Sequence, residues 1–122
     1  MGHKINQSGA MNSEVLRTLQ ESKRVKLRQN EMLAIGRLTE FALALYAESS
    51  PHDTYERGEA SRIYALYRKL ATRLLTPRSS YRVSFNASEQ ATLLYLINEY
   101  YHLLGIFEQM VAYKLRDELQ LI

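Results

Sequence analysis

This sequence predicts an all-α protein, a bundle of three long helices, and three observations carry the prediction. Five glycines and two prolines in 122 residues are few for a β protein, whose tight turns draw on those residue types. Apolar residues recur at spacings of three and four over long stretches, the period of a helix packed on one side. Strong breakers cluster at only two places, Ser49-Ser50-Pro51 and Thr76-Pro77, so the chain divides into few, long segments.

The first segment can be capped by Asn12 or Ser13, and no proline or loop cluster follows until Ser49, so one helix from about Glu14 to Glu48 is expected. Its second half carries a stripe of Ala34, Leu38, Phe41 and Leu45, widened by Ile35 and Ala42. Its first half is poorly patterned, with Leu16, Gln20, Lys23 and Leu27 in the same register. A break near Asn30 would give four helices instead of three. Ser49-Ser50-Pro51 then opens the second helix, with Pro51 and Asp53 suited to its first turn. Ile63, Tyr64, Tyr67, Leu70, Ala71 and Leu74 form its apolar face, with Arg62, Lys69 and Arg73 opposite.

Residues 78–85 alternate, with Tyr81, Val83 and Phe85 set against Arg82 and Ser84. A single strand has no partner to pair with, so this stretch reads as a linker lying on the bundle. Asn86 and Glu89 have the spacing of a capping box, with Phe85 placed as a hydrophobic staple. The last helix is expected to run unbroken to about Leu119. It shows two adjacent seams: Leu94, Ile97, Tyr101, Leu104, Glu108, Val111 and Leu115, beside Leu93, Leu96, Tyr100, Leu103, Phe107 and Met110. A face this wide exceeds what one neighbouring helix covers. The predicted core is Leu38, Phe41, Leu45, Ile63, Tyr67, Leu70, Leu74, Leu94, Ile97, Tyr101, Leu104, Phe107 and Val111.

Size and composition set the remaining bounds. A mass of 14.2 kDa suits one domain, expected over residues 13–122 behind a flexible N-terminal segment, 1–12, in which Met11 is a second candidate start. Hydrophobic residues at 46% and charged residues at 24% are ordinary globular usage. The absence of cysteine removes disulfides, thiolate metal sites and cysteine nucleophiles. The most apolar stretch, 93–111, is interrupted by Asn98, Glu99, His102, Gly105, Glu108 and Gln109, so no membrane span is expected. Met1 to Ala10 lacks the apolar centre of a signal peptide, and a cytoplasmic setting is the expectation.

Little in the chain points to catalysis. Glu99 and His102 form one Glu-x-x-His pair, half of a di-iron carboxylate motif, but no second pair exists. A local hydrogen bond accounts for them. Ser50, His52 and Asp53 are triad residue types side by side in sequence, and helix capping explains Ser50 and Asp53. No phosphate loop, zinc motif or calcium loop occurs. The chain is therefore expected to be non-enzymatic, with no cofactor, no metal and no small-molecule substrate.

Charge is the sharper signal. The net charge is +3, but residues 61–82 hold six Lys/Arg and no acid, and Lys23-Arg24-Val25-Lys26-Leu27-Arg28 packs four cations into six residues. Such blocks serve neighbouring helices or meet a partner. Nine tyrosines suit core margins and interfaces. Two readings follow. In the first, the protein is an interaction or structural protein that forms a homo-oligomer or docks on a protein partner through its last helix, using Tyr95, Tyr100, Leu103, Phe107 and Met110. In the alternative, it is a nucleic-acid-binding helical module using the basic segments 23–28 and 62–82, chiefly Lys23, Arg24, Lys26, Arg28, Arg62, Lys69 and Arg73, with the interleaved Tyr64, Tyr67 and Tyr81 to stack on unpaired bases.

Overall fold

The computed structural model of the protein describes residues 21–49 and 54–119. Four helices form a small bundle: α1 (Gln29–Ser49), α2 (Thr54–Leu74), α3 (Ala87–Tyr100) and α4 (Ile106–Leu119). A two-stranded antiparallel ribbon lies against them, made of β1 (Lys23–Arg28) and β2 (Ser80–Phe85). No helix among the described residues is long and apolar enough to cross a membrane. The expected caps at Asn12, Ser13 and Ser50, and the neighbouring Pro51, His52 and Asp53, lie outside the described residues.

The ribbon corrects two expectations at once. Residues 23–28 are a strand instead of the first half of a helix, and residues 80–85 are a strand instead of a linker. Each supplies the partner the other lacked. Arg24-Val25-Lys26-Leu27-Arg28 alternates as strictly as Tyr81 to Phe85, and alternation is the pattern of a strand with one buried face. The path between them explains the pairing. α1 and α2 each have 21 residues, about 31 Å at 1.5 Å per residue, so a chain that runs out along one returns along the other to the level where it started. Arg28 and Ser80, beside the two helix ends, are register partners.

Local contacts secure these junctions. Glu31 Oε1 accepts a 2.8 Å hydrogen bond from the Arg28 N–H, the return half of a capping box at the start of α1. At the end of α2, the Arg78 N–H donates to the Tyr81 hydroxyl at 3.0 Å, and that hydroxyl donates to the Thr76 carbonyl at 3.1 Å. Pro77 sits inside this turn and prevents further helix. The Asn86–Glu89 capping box is present with both bonds at 2.8 Å. The expected staple is replaced by a polar clasp: Gln90 occupies the staple position, and its amide donates to the Phe85 carbonyl at 2.8 Å and the Glu21 carbonyl at 2.9 Å.

One continuous core joins ribbon and bundle. Val25, Leu27, Tyr81, Val83 and Phe85 from the ribbon pack with Met32, Ile35 and Leu38 of α1, Ile63, Leu66 and Leu70 of α2, Leu93, Leu96 and Ile97 of α3, and Val111, Leu115 and Leu119 of α4. Of the predicted core, Leu38, Ile63, Leu70, Ile97 and Val111 are buried. Leu45, Tyr67, Leu74, Leu94, Tyr101 and Leu104 are half-buried, while Phe41 and Phe107 are exposed.

The C-terminal helix is not continuous, which explains much of that difference. It stops at Tyr100, passes through a 3₁₀ turn at Tyr101–Leu103, and restarts at Ile106. Gly105 marks the break, as glycine disfavours helix interiors by about 1 kcal/mol. The Gln109 amide donates to the Tyr101 and Leu104 carbonyls, both at 3.2 Å, and so satisfies acceptors that the interrupted helix leaves open. The break splits the two seams. Leu93 and Leu96 of the second seam are buried, but its continuation through Leu103, Phe107 and Met110 faces solvent.

Candidate functional site

The inward face of the ribbon is apolar, so its outward face is set by the period of two. That face presents Arg24, Lys26 and Arg28 from β1 and Ser80, Arg82 and Ser84 from β2. The register pairs Arg24 with Ser84, Lys26 with Arg82, and Arg28 with Ser80. Among the described residues, no acid belongs to this face. Arg24, Lys26 and Arg82 make no side-chain hydrogen bond or ion pair with any described residue. Arg28 approaches Glu31 at 3.9 Å with its side chain 74% exposed, a separation and exposure at which an ion pair contributes little.

Cations also line both free edges of the ribbon, where unpaired carbonyls would otherwise be open. Along β2, Arg73 Nη2 donates to the Arg82 carbonyl at 2.9 Å, and Lys69 Nζ donates to the Ser84 carbonyl and to Glu89 Oε1 at 2.9 Å. Along β1, Lys114 Nζ donates to Glu31 Oε2 at 3.0 Å and reaches the Lys26 carbonyl at 3.5 Å. Burial works to raise the Glu31 carboxyl, but the Arg28 N–H, the Lys114 ammonium and the Arg28 charge outweigh it and hold the group below its ordinary value.

The predicted basic residues thus separate by role. Arg24, Lys26 and Arg28 share one open face. Lys23 points to the inner side, with Nζ 3.5 Å from the Glu118 carbonyl. Lys69 and Arg73 hold the β2 edge, and Arg62, about 10 Å along α2 from Lys69, pairs with Glu59 at 2.6 Å. Arg82 belongs to the basic segment 62–82 but is not one of the residues singled out in it, and its alternation with Val83 and Tyr81 is the signal that places it with Arg24, Lys26 and Arg28. The tyrosines proposed as stacking partners are not on this face. Tyr81 is buried, and Tyr64 and Tyr67 stack on each other with ring centroids 6.5 Å apart.

The predicted protein-interface residues fall on two surfaces. Tyr95 and Tyr100 lie on α3 and contact α1. Tyr95 shares a hydrogen bond with Tyr46, whose phenol is raised first by burial and then by that bond. Tyr100 meets Phe41 edge to face at 5.7 Å. Leu103, Phe107 and Met110 lie instead on the 3₁₀ turn and α4, where Ile106 and Tyr113 join them. Ile106, Met110 and Tyr113 follow spacings of four and three on the side of α4 opposite the buried Val111, Leu115 and Leu119. Ile106 is 82% exposed and Met110 65%. Glu99 and His102 are both exposed, the first on α3 and the second in the 3₁₀ turn. Among the described residues, no group of three or more His, Asp or Glu is arranged to hold a metal ion.

Comparisons of the chain with protein-family models, curated proteins and solved structures find no match.

Proposed function

We propose that this protein is a non-enzymatic nucleic-acid-binding module of the cytoplasm, and that the solvent face of the β1–β2 ribbon is its contact surface. One observation carries the reading. Lys26 and Arg82 are register partners, both outward, flanked by Arg24 and Arg28 on a face to which no acid among the described residues belongs. Like charges directly opposite on paired strands are destabilising. Packing does not require them, because the core takes its contribution from the other face. A polyanion would relieve that repulsion, and phosphate binding by such cations releases counterions.

Fluorescence anisotropy with labelled nucleic acid across a salt series tests the reading. Affinity should fall steeply with salt. Neutralising Arg24, Lys26 and Arg82 together should flatten the slope of log K against log salt by roughly 2–3, at about 0.7–0.9 per phosphate contact. An unchanged slope in a folded triple variant, or no binding at low salt, would refute it.

A second reading is self-association, the role the sequence alone favoured, and the α4 stripe supports it. Leu103, Ile106, Phe107, Met110 and Tyr113, from about two-fifths to four-fifths exposed, leave on the order of 500 Å² of largely apolar surface open. That approaches the roughly 800 Å² each partner contributes to a standard interface, so a second copy related by a two-fold axis is the occupant this surface suits.

A further inference from the structure

We infer that the ribbon enters the major groove of B-form duplex DNA, with Lys26 and Arg82 at base edges; this rests on the nucleic-acid reading above and specifies its partner. Dimensions come first. Two strands about 4.8 Å apart with one outward row of side chains each match a groove about 12 Å wide, which admits a two-stranded ribbon. Six residues per strand span about 20 Å, the rise of roughly six base pairs at 3.4 Å each.

Chemistry narrows the partner further. Among the described residues, the outward face of the ribbon offers three Arg, one Lys and two Ser, with no carboxylate and no amide. Arg and Lys donors match guanine O6 and N7, whereas the usual partners of adenine N6 and cytosine N4 are absent. Lys26 and Arg82, opposite one another at the middle of the ribbon, would lie side by side on adjacent bases, which favours G-containing steps. Along the two edges, Arg73 on one side is fixed by its bond to the Arg82 carbonyl, and Lys114 on the other by its ion pair with Glu31. A ribbon lying in the groove would bring these edges towards the flanking phosphate backbones.

The ribbon's own aromatic residues argue against the other nucleic acids. Both Tyr81 and Phe85 are turned inward and buried, so the face offers no stacking platform for unpaired bases. The major groove of an A-form RNA duplex is too deep and narrow to be read by such a surface.

The test compares binding of the full chain to a G·C-containing DNA duplex, the RNA duplex of the same sequence and the DNA single strand, at one salt concentration. The DNA duplex should bind about tenfold or more tighter than either competitor. Replacing guanine by 7-deazaguanine removes the N7 acceptor from the major groove, and should weaken binding of the unaltered protein several-fold. That arm needs no protein variant to fold. Lys26→Gln and Arg82→Gln should each reduce the discrimination between normal and 7-deaza duplexes. Equal or tighter binding to the RNA duplex or the single strand, or indifference to 7-deazaguanine, would overturn the groove assignment alone. Failure of all three probes to bind would overturn the nucleic-acid reading itself.

Discussion

Lys26 and Arg82 stand directly opposite each other across the ribbon, both on its solvent face. On a scaffold selected for stability alone, one of them would be exchanged for an acid or a neutral residue, since opposite charges at such a pair stabilise and like charges do the reverse. The pair therefore separates the demands of folding from those of binding. Arg82→Glu should place a cross-strand ion pair opposite Lys26 and raise stability by about 0.5–1 kcal/mol. In a small domain that is a Tm increase of a few degrees. The same substitution should weaken nucleic-acid binding by about tenfold or more at low salt. Thermal denaturation and anisotropy on one preparation check both halves, and a variant that is less stable yet binds as tightly as the parent would contradict this.

The inner face of the ribbon belongs to the core, so its residues should behave as core residues despite their short strands. Leu27 is fully buried among the ribbon and helix side chains. Leu27→Ala should cost about 2–5 kcal/mol, the range for truncating a buried leucine. Urea denaturation would record it as a lower midpoint. A loss below 1 kcal/mol would mean that the ribbon is only loosely attached to the bundle.

Glu31 joins three elements: it accepts from the Arg28 N–H at the end of β1, sits in the first turn of α1, and pairs with Lys114 of α4. Its carboxyl is lowered from an ordinary value of 4.5. A lowered folded-state value means that its stabilisation is fully present above that ordinary value and is lost as pH falls through the folded one. Unfolding midpoints measured from pH 7 downward should therefore show a gap between the parent protein and Glu31→Gln that narrows below about pH 4.5. At neutral pH the gap should be on the order of 1–2 kcal/mol. A gap that is constant with pH would assign the effect to shape and not to charge.

The α4 stripe predicts a two-fold dimer. Met110→Glu places a charge at the middle of the exposed row without touching the buried side of the helix. Light scattering coupled to size exclusion should show the parent protein as a dimer and the variant as a monomer with unchanged helix content. A parent protein that stays monomeric at high concentration would remove the second reading.

The bundle was readable in the sequence because helix signals are local. The Asn86–Glu89 capping box, the stop at Thr76-Pro77 and the stripe around Leu38, Ile63, Leu70 and Ile97 all lie within a few residues of what they specify. The ribbon was not readable as a ribbon, because its strands are separated by two helices and neither is a sheet alone. Val25 and Leu27 alternate with Arg24, Lys26 and Arg28, but inside a presumed helix the alternation passes for poor helical patterning. The break at Gly105 was visible only as one glycine, and its stabilising partner, Gln109, carries no signature in sequence. The same gap hid the candidate site. Its cations were counted correctly, but only the pairing of β1 with β2 shows that Arg24, Lys26, Arg28 and Arg82 share a face. Side-chain contacts, and not the pattern of charges, show that Arg62, Lys69 and Arg73 are held by Glu59, Glu89 and the Arg82 carbonyl.

The most direct measurement is a ¹H–¹⁵N chemical-shift titration of the protein with a short DNA duplex. The ribbon reading predicts that the largest shifts fall on Arg24 to Arg28 and Arg82 to Ser84, with Arg73 and Lys114 at their margin and the Ile106–Tyr113 stripe unmoved. Shifts centred on α4 or on the Arg62 end of α2, or no shifts at low salt, would contradict it.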